Sequence, residues 1–150
     1  MWIRDRVTIQ LTASSINFTM LDTWWEELME LDIPIHSNPV LFPKEYSLRS
    51  IPEKYKEEQV TWLENWIEKV DTGDTLTATE LHKITDWNEW KRNKVSRQII
   101  EAQVAISILN NNPYNEDYNK KFKHQVKVMD EWRNENISDL DYRFKEILHA

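Results

Sequence analysis

Asn38-Pro39-Val40-Leu41-Phe42-Pro43-Lys44-Glu45-Tyr46-Ser47-Leu48-Arg49-Ser50-Ile51-Pro52 divides the chain, because three of its five prolines fall in this stretch. Proline lacks an amide hydrogen and pushes the residue before it away from helical geometry, so no helix runs through here. The two sides of the divide read differently. On the amino side, Val7-Thr8-Ile9-Gln10-Leu11-Thr12-Ala13-Ser14 alternates apolar and polar residues with a period of two. That spacing predicts a strand with Val7, Ile9 and Leu11 on one face and Thr8, Gln10 and Thr12 on the other. The polar face carries no charge, and it suits the lining of a substrate cavity as well as a wet sheet surface. Ser14, Ser15 and Asn17 then offer side-chain oxygens that can cap a helix. Met20, Leu21, Trp24, Trp25, Leu28 and Met29 form the apolar stripe of that helix, which Asp32 and Pro34 end. A second strand is expected over Ile35 to Phe42, confined by its prolines to a sheet edge or a strand end. Strand, helix, strand is the order of a βα unit.

On the carboxyl side helix follows helix. Leu48 to Ile51 is read as a short extended segment, and Pro52 as the first residue of a helix preceded by Ser50 in a cap-like position. The stripe Tyr55, Gln59, Trp62, Leu63, Trp66, Ile67 and Val70 carries that helix to Asp71-Thr72-Gly73-Asp74, where the single glycine can turn left-handed. Thr77 or Thr79 caps a short helix through Leu81 and Ile84. Trp87 and Trp90 lead into a longer one ended by Asn110-Asn111-Asn112-Pro113. A last helix starts near Asn115 and breaks at Asn134 to Ser138 before Leu140, Phe144, Ile147 and Leu148. No repeat is visible, and the one candidate linker, Asp71 to Thr79, is short, so residues 1–150 are expected to form one unit. Within it, 7–52 is the strand-helix-strand part and 53–150 the helical part. Met1 to Arg6 resemble the translated adapter scars that head many metagenomic reading frames.

Composition narrows the function classes. With 40% apolar residues and eight tryptophans among 150 residues, the chain can build a core despite 30% charged content. A formal charge of −7 argues against nucleic acid as a partner, since binding a polyanion needs a basic face. The basic runs Lys91, Arg92, Lys94, Arg97 and Lys120, Lys121, Lys123 read as solvated helix faces. No apolar run reaches the roughly 18 residues of a membrane span, and the start lacks the apolar stretch of a signal peptide, so a cytoplasmic protein without membrane contact is expected. The absence of cysteine excludes disulfides, thiolate nucleophiles and cysteine-ligated clusters held by this chain.

Local motifs carry little chemistry. His36, His82, His124 and His149 are dispersed, without metal-ligand spacing, and read as ordinary polar residues. One glycine cannot make a phosphate-cradling loop. Glu26-Glu27 and Glu57-Glu58 fall on polar helix sides, and Trp24, Trp25, Trp62 and Trp66 on apolar stripes, which makes the former solvated and the latter core. Arg49 either clamps a carboxylate or phosphate with its planar fork of donors or pairs with Glu45 or Glu53 at the surface.

Three stretches together resemble the carboxy-terminal part of the twitch-domain radical SAM proteins, including those carried by phages. Val7 to Asn17 is similar to the family's late barrel strand and the small residues and Asn that precede a helix built on Leu-Asp. Asn38-Pro39 with Tyr46-Ser47-Leu48-Arg49-Ser50-Ile51-Pro52 resembles its Pro-x-Tyr-Leu-Ser-Ile-Arg-x-Leu-Pro block. Val128-Met129-Asp130-Glu131-Trp132-Arg133-Asn134-Glu135-Asn136 with Ser138-Asp139-Leu140 resembles its closing helix and tail. The likeness rests on order and spacing across most of the chain rather than on any single motif.

The resemblance implies an α/β, helix-dominated fold: the last βα unit or units of a partial (β/α) barrel, followed by several amphipathic helices. Members hold a [4Fe–4S] cluster on a Cys-x-x-x-Cys-x-x-Cys loop and use it to cleave S-adenosylmethionine to a 5′-deoxyadenosyl radical. This chain has neither that loop nor the earlier strands, so it is expected to be inactive alone, its partner being a missing amino-terminal part of the same protein. Strand carboxyl ends face the active site in such barrels. Thr12, Ser14, Ser15 and Asn17 are therefore expected to border the cofactor, and Asn38 and Arg49 the substrate. The other expectation is a mostly helical, non-enzymatic protein-interaction module.

Overall fold

The computed structural model describes residues 8–150. Val7 and the expected scar at residues 1–6 lie outside them. The strand expected from Val7 to Ser14 is present as β1, Ile9–Ala13, and the helix after it as α1, Leu21–Glu30. Strand β2, Ile35–Pro39, closes the unit. The two strands pair in parallel, Ile9 opposite Ile35 and Thr12 opposite Asn38, so α1 is the crossover that parallel pairing requires. Among the described residues this is a two-stranded sheet.

The helical part follows as α2 (Glu53–Val70), α3 (Ala78–His82), α4 (Trp87–Arg92), α5 (Lys94–Asn110), α6 (Glu116–Arg133) and α7 (Tyr142–His149). Their ends obey local chemistry. Thr77 and Glu80 form a reciprocal capping box on α3, Asp86 caps α4, Asn115 caps α6 and Asp141 caps α7. Asn134 ends α6 in the left-handed conformation at φ 54°, which asparagine tolerates better than most residues. Gly73 adopts φ 82°, three residues beyond the end of α2, and donates its amide hydrogen to the Asp71 carboxylate at 2.9 Å. No helix among the described residues is long and apolar enough to cross a membrane.

Several local expectations are corrected. Strand β2 stops at Pro39 rather than Phe42, although the Val40 amide still donates to Ala13 O at 2.8 Å. Leu48 to Ile51 is not extended: Leu48–Ser50 is one 3-10 turn and Lys44–Tyr46 another. Ser47 fixes the Leu48–Ser50 turn by accepting from the Arg49 amide at 3.3 Å. Pro52 precedes the first helical residue, Glu53, and Ser50 caps nothing, its hydroxyl donating to Ser47 O at 2.7 Å. Trp87 and Trp90 form a separate helix, divided from α5 at Asn93. Arg97 is not solvated: it is 5% exposed, because its Nη2 donates to Asp32 Oδ1 at 2.8 Å.

One core lies beneath the sheet and a second beside it. The apolar sheet face meets Phe18, Leu21, Trp25, Leu48, Leu63, Trp66 and Leu109 from the segments after each strand and from α2 and α5. Trp25 and Trp66 meet edge to face at 5.9 Å between centroids, as their place on the stripes required. The second core joins Ile51 and Tyr55 to Phe122 and Val126 of α6 and Phe144 and Ile147 of α7. Arg143 of α7 ties the ends together, donating to Asp22 of α1 at 3.0 Å and to Asp141 at 2.7 and 2.8 Å.

Candidate functional site

The sheet has one buried and one open face. Gln10, Thr12, His36 and Asn38 are all exposed and share the polar side by strand alternation and register. Asn38 Nδ2 donates to Gln10 Oε1 at 3.2 Å, a bridge between the strands on that side. Thr12 sits opposite Asn38, so two of the residues predicted to border a ligand are neighbours.

The remaining predicted residues are engaged in the fold. Asn17 Oδ1 accepts from the Ser14 amide at 2.8 Å and lies 3.1 Å from its hydroxyl, while Asn17 Nδ2 donates to Thr12 O at 2.8 Å. The turn after β1 is thus closed on itself, and α1 starts without a side-chain cap, after a 3-10 turn over Phe18–Met20. Ser15 is fully buried; its amide donates to Tyr46 O at 2.8 Å and its hydroxyl to Glu45 O at 3.4 Å. These bonds pin the turn after β1 to the proline-rich loop after β2, at the carboxyl end of both strands. Arg49 lies apart from them. It donates to Pro113 O at 3.4 Å and stands 5.1 Å from the centre of the Tyr118 ring, while Glu53 pairs with Lys56.

The two sheet edges differ. The bonds Ile9 N–H to Pro34 O and Val40 N–H to Ala13 O fix the ladder's parity. Ile9, Leu11 and Ala13 turn their backbone groups toward β2, and Gln10 and Thr12 turn theirs the other way. On the outer side of β2, Pro39 has no amide hydrogen and the Ile35 amide donates to Glu101 Oε1 of α5 at 3.0 Å. That edge is blunted in the ways natural sheets use against further pairing. The outer edge of β1 has no strand beside it among the described residues, and there only the Thr12 carbonyl is taken, by Asn17.

A cavity of about 550 Å³ lies between β2, α3, α4 and α5. Ile35, Leu81, Ile100 and Val104 supply apolar wall, and His36, Asn38 and His82 reach its lining. Trp87 and Trp90 stack at 4.8 Å and 15°, with the Arg97 guanidinium 4.5 Å from the Trp90 ring centre. Burial pushes the Glu101 carboxyl up to about 7; Asp32 adds to the shift, and the Ile35 hydrogen bond and Arg97 oppose it. Trp87 Nε1 and Arg97 Nε are buried without an acceptor. No motif in the sequence singles this site out. Trp87 and Trp90 at i, i+3 and Arg97 and Glu101 at i, i+4 each mark one helix face, which is the signal available beforehand. Nothing local joins those faces to His36 and His82.

The groups that the radical SAM resemblance calls for find no holder here. The chain has no cysteine, and among the described residues no three His, Asp or Glu side chains are placed to hold a metal ion. With Ser14, Ser15 and Asn17 engaged in the turn, Thr12 alone of the four residues expected at S-adenosylmethionine is exposed. Comparison of the chain with protein-family profiles, characterised proteins and solved structures found no significant match.

Proposed function

We propose that the chain is the carboxy-terminal wall and helical cap of a radical SAM protein of the twitch-domain type. In this reading a preceding part of the same protein holds the [4Fe–4S] cluster, and the chain alone is inactive. The observation that carries it is the outer edge of β1, which no strand among the described residues covers, beside an exposed polar face of Gln10, Thr12, His36 and Asn38. Parallel sheets are ordinarily covered on both faces and run beyond two strands. A strand added along β1 extends the sheet on the side that is not blunted, leaving β2 as its terminal strand. The polar face then turns into the barrel, where strand carboxyl ends border the active site. The resemblance across Val7 to Asn17, Asn38 to Pro52 and Val128 to Leu140 supplies the class of chemistry. No step of S-adenosylmethionine cleavage is assigned to this chain, because its residues do not fit the cluster.

The test is the coding sequence upstream of residue 7, expressed together with this chain and reconstituted anaerobically with iron and sulfide. The expected result is an in-frame three-cysteine loop and reductant-dependent release of 5′-deoxyadenosine, absent from the 150-residue chain alone. An in-frame stop codon with a ribosome-binding signal directly upstream overturns the reading in favour of the helical interaction module. So does an extended protein that lacks the loop.

A further inference from the structure

We propose that the cavity between β2, α3, α4 and α5 binds a small molecule with an apolar, flat body and one ammonium group, the ammonium meeting the free carboxylate oxygen of Glu101. At about 550 Å³ the cavity has the size of small-molecule sites, roughly 300–1,000 Å³. Its wall is mixed: Ile35, Leu81, Ile100, Val104, Trp87 and Trp90 supply apolar surface, and His36, Asn38, His82, Arg97 and Glu101 the polar groups.

The head group follows from the charge balance. Two acids and one base meet here, and Arg97 is committed to Asp32 at 2.8 Å, which leaves Glu101 as the uncompensated charge. Glu101 uses Oε1 to hold the Ile35 amide, so Oε2 is the atom left for a ligand. A half-buried carboxyl in a cavity whose wall includes Ile100 and Val104 gains most from a cation that shares its desolvated site. Trp87 and Trp90 line the same cavity and favour a flat body, Trp90 already holding the Arg97 guanidinium 4.5 Å from its ring centre. A carboxylate ligand would meet Glu101 as a like charge, and Arg97 turns Nη2 to Asp32 and to Lys91 O while its unpartnered Nε is buried.

The charged and titratable groups around Glu101 are Asp32, Arg97, His36 and His82. Glu101 titrates at about 7, so ammonium binding is expected to weaken by about tenfold between about pH 8 and pH 6. His36 and His82 line the same cavity, so a variant must separate their contribution from that of Glu101. Glu101→Gln keeps an amide oxygen for the Ile35 amide hydrogen and removes the charge. His36→Gln with His82→Gln leaves Glu101 intact.

Isothermal titration with 2-phenylethylammonium, 2-phenylethanol and phenylacetate tests the proposal on the intact chain. Expected at about pH 8 is binding of the ammonium at least tenfold tighter than the alcohol, with phenylacetate weakest. Glu101→Gln should erase that preference and the pH dependence, whereas the double histidine variant should keep both. Equal binding of ammonium and alcohol, tighter binding of phenylacetate, or no binding of any probe at millimolar concentration overturns it. These readouts do not involve S-adenosylmethionine, so they stand apart from the barrel reading.

Discussion

Asn17 uses both ends of one amide to close the turn that follows β1, accepting from Ser14 and donating to the Thr12 carbonyl. Asn17→Ala should therefore lose about 1–2 kcal/mol, measured by urea denaturation at unchanged m-value, since it strands backbone groups beside the sheet. Glu101 gives a pH signature of its own. Its folded value of about 7 lies above the ordinary 4.5, so the native state holds a proton that the unfolded chain releases between those values. The stability it contributes is fully present below about 4.5 and is lost as pH rises through about 7. Melting temperatures recorded from about pH 4.5 to 8 should fall on this account in the wild type, and Glu101→Gln should flatten the fall. At this scale the sequence was partly readable. The Thr77, Asn115 and Gly73 positions act much as their residue types suggest, whereas Ser14 and Asn17 serve a turn because the cap they can form competes with a closer partner. Arg97 looked solvated because nothing in its own helix announces Asp32, and the left-handed Asp32 at φ 48° is what brings that carboxylate round.

The strand pair is the element on which the proposal turns. Thr12 directs its amide to the open edge and Leu11 directs its own to β2, so proline should discriminate between neighbours. Leu11→Pro removes a ladder bond and should cost about 3 kcal/mol or more, while Thr12→Pro should cost markedly less in the isolated chain. Chemical denaturation of the two variants checks this; equal losses would mean that the ladder parity is wrong. Period-two alternation located β1 and proline placed β2 at an edge, because both are properties of one short segment. The cavity was not legible, since it is made by four elements whose contact no local pattern encodes. The division at Asn93 escaped notice for a related reason: Trp87, Trp90 and Val95 keep nearly helical spacing across a one-residue interruption.

Across the whole molecule, α7 is held to α1 by charge as well as by packing. Arg143 is 3% exposed and meets Asp141 and Asp22, so Arg143→Met leaves two carboxylates without their cation. With Asp22 partly open to water, the loss should be about 2–3 kcal/mol, less than for a fully buried pair. The Arg143 hydrogen bond holds the Asp141 carboxyl below its usual range against the opposing effect of burial. Its contribution is present above the ordinary carboxylate value and is lost as pH falls through the depressed one, and acid titration of Arg143→Met should lack that loss. The split into an α/β part and a helical part was readable from the prolines of Asn38 to Pro52. The second core was not, because Ile51, Phe122 and Phe144 come from segments far apart in sequence.

The proposed barrel wall requires that β1 present an edge to another strand. Amide hydrogen exchange in the isolated chain measures this directly. Fast exchange is expected at Gln10 and Thr12, alternating with protected amides at Leu11 and Ala13. Equal protection at all four positions would contradict it, because the edge would then already be closed.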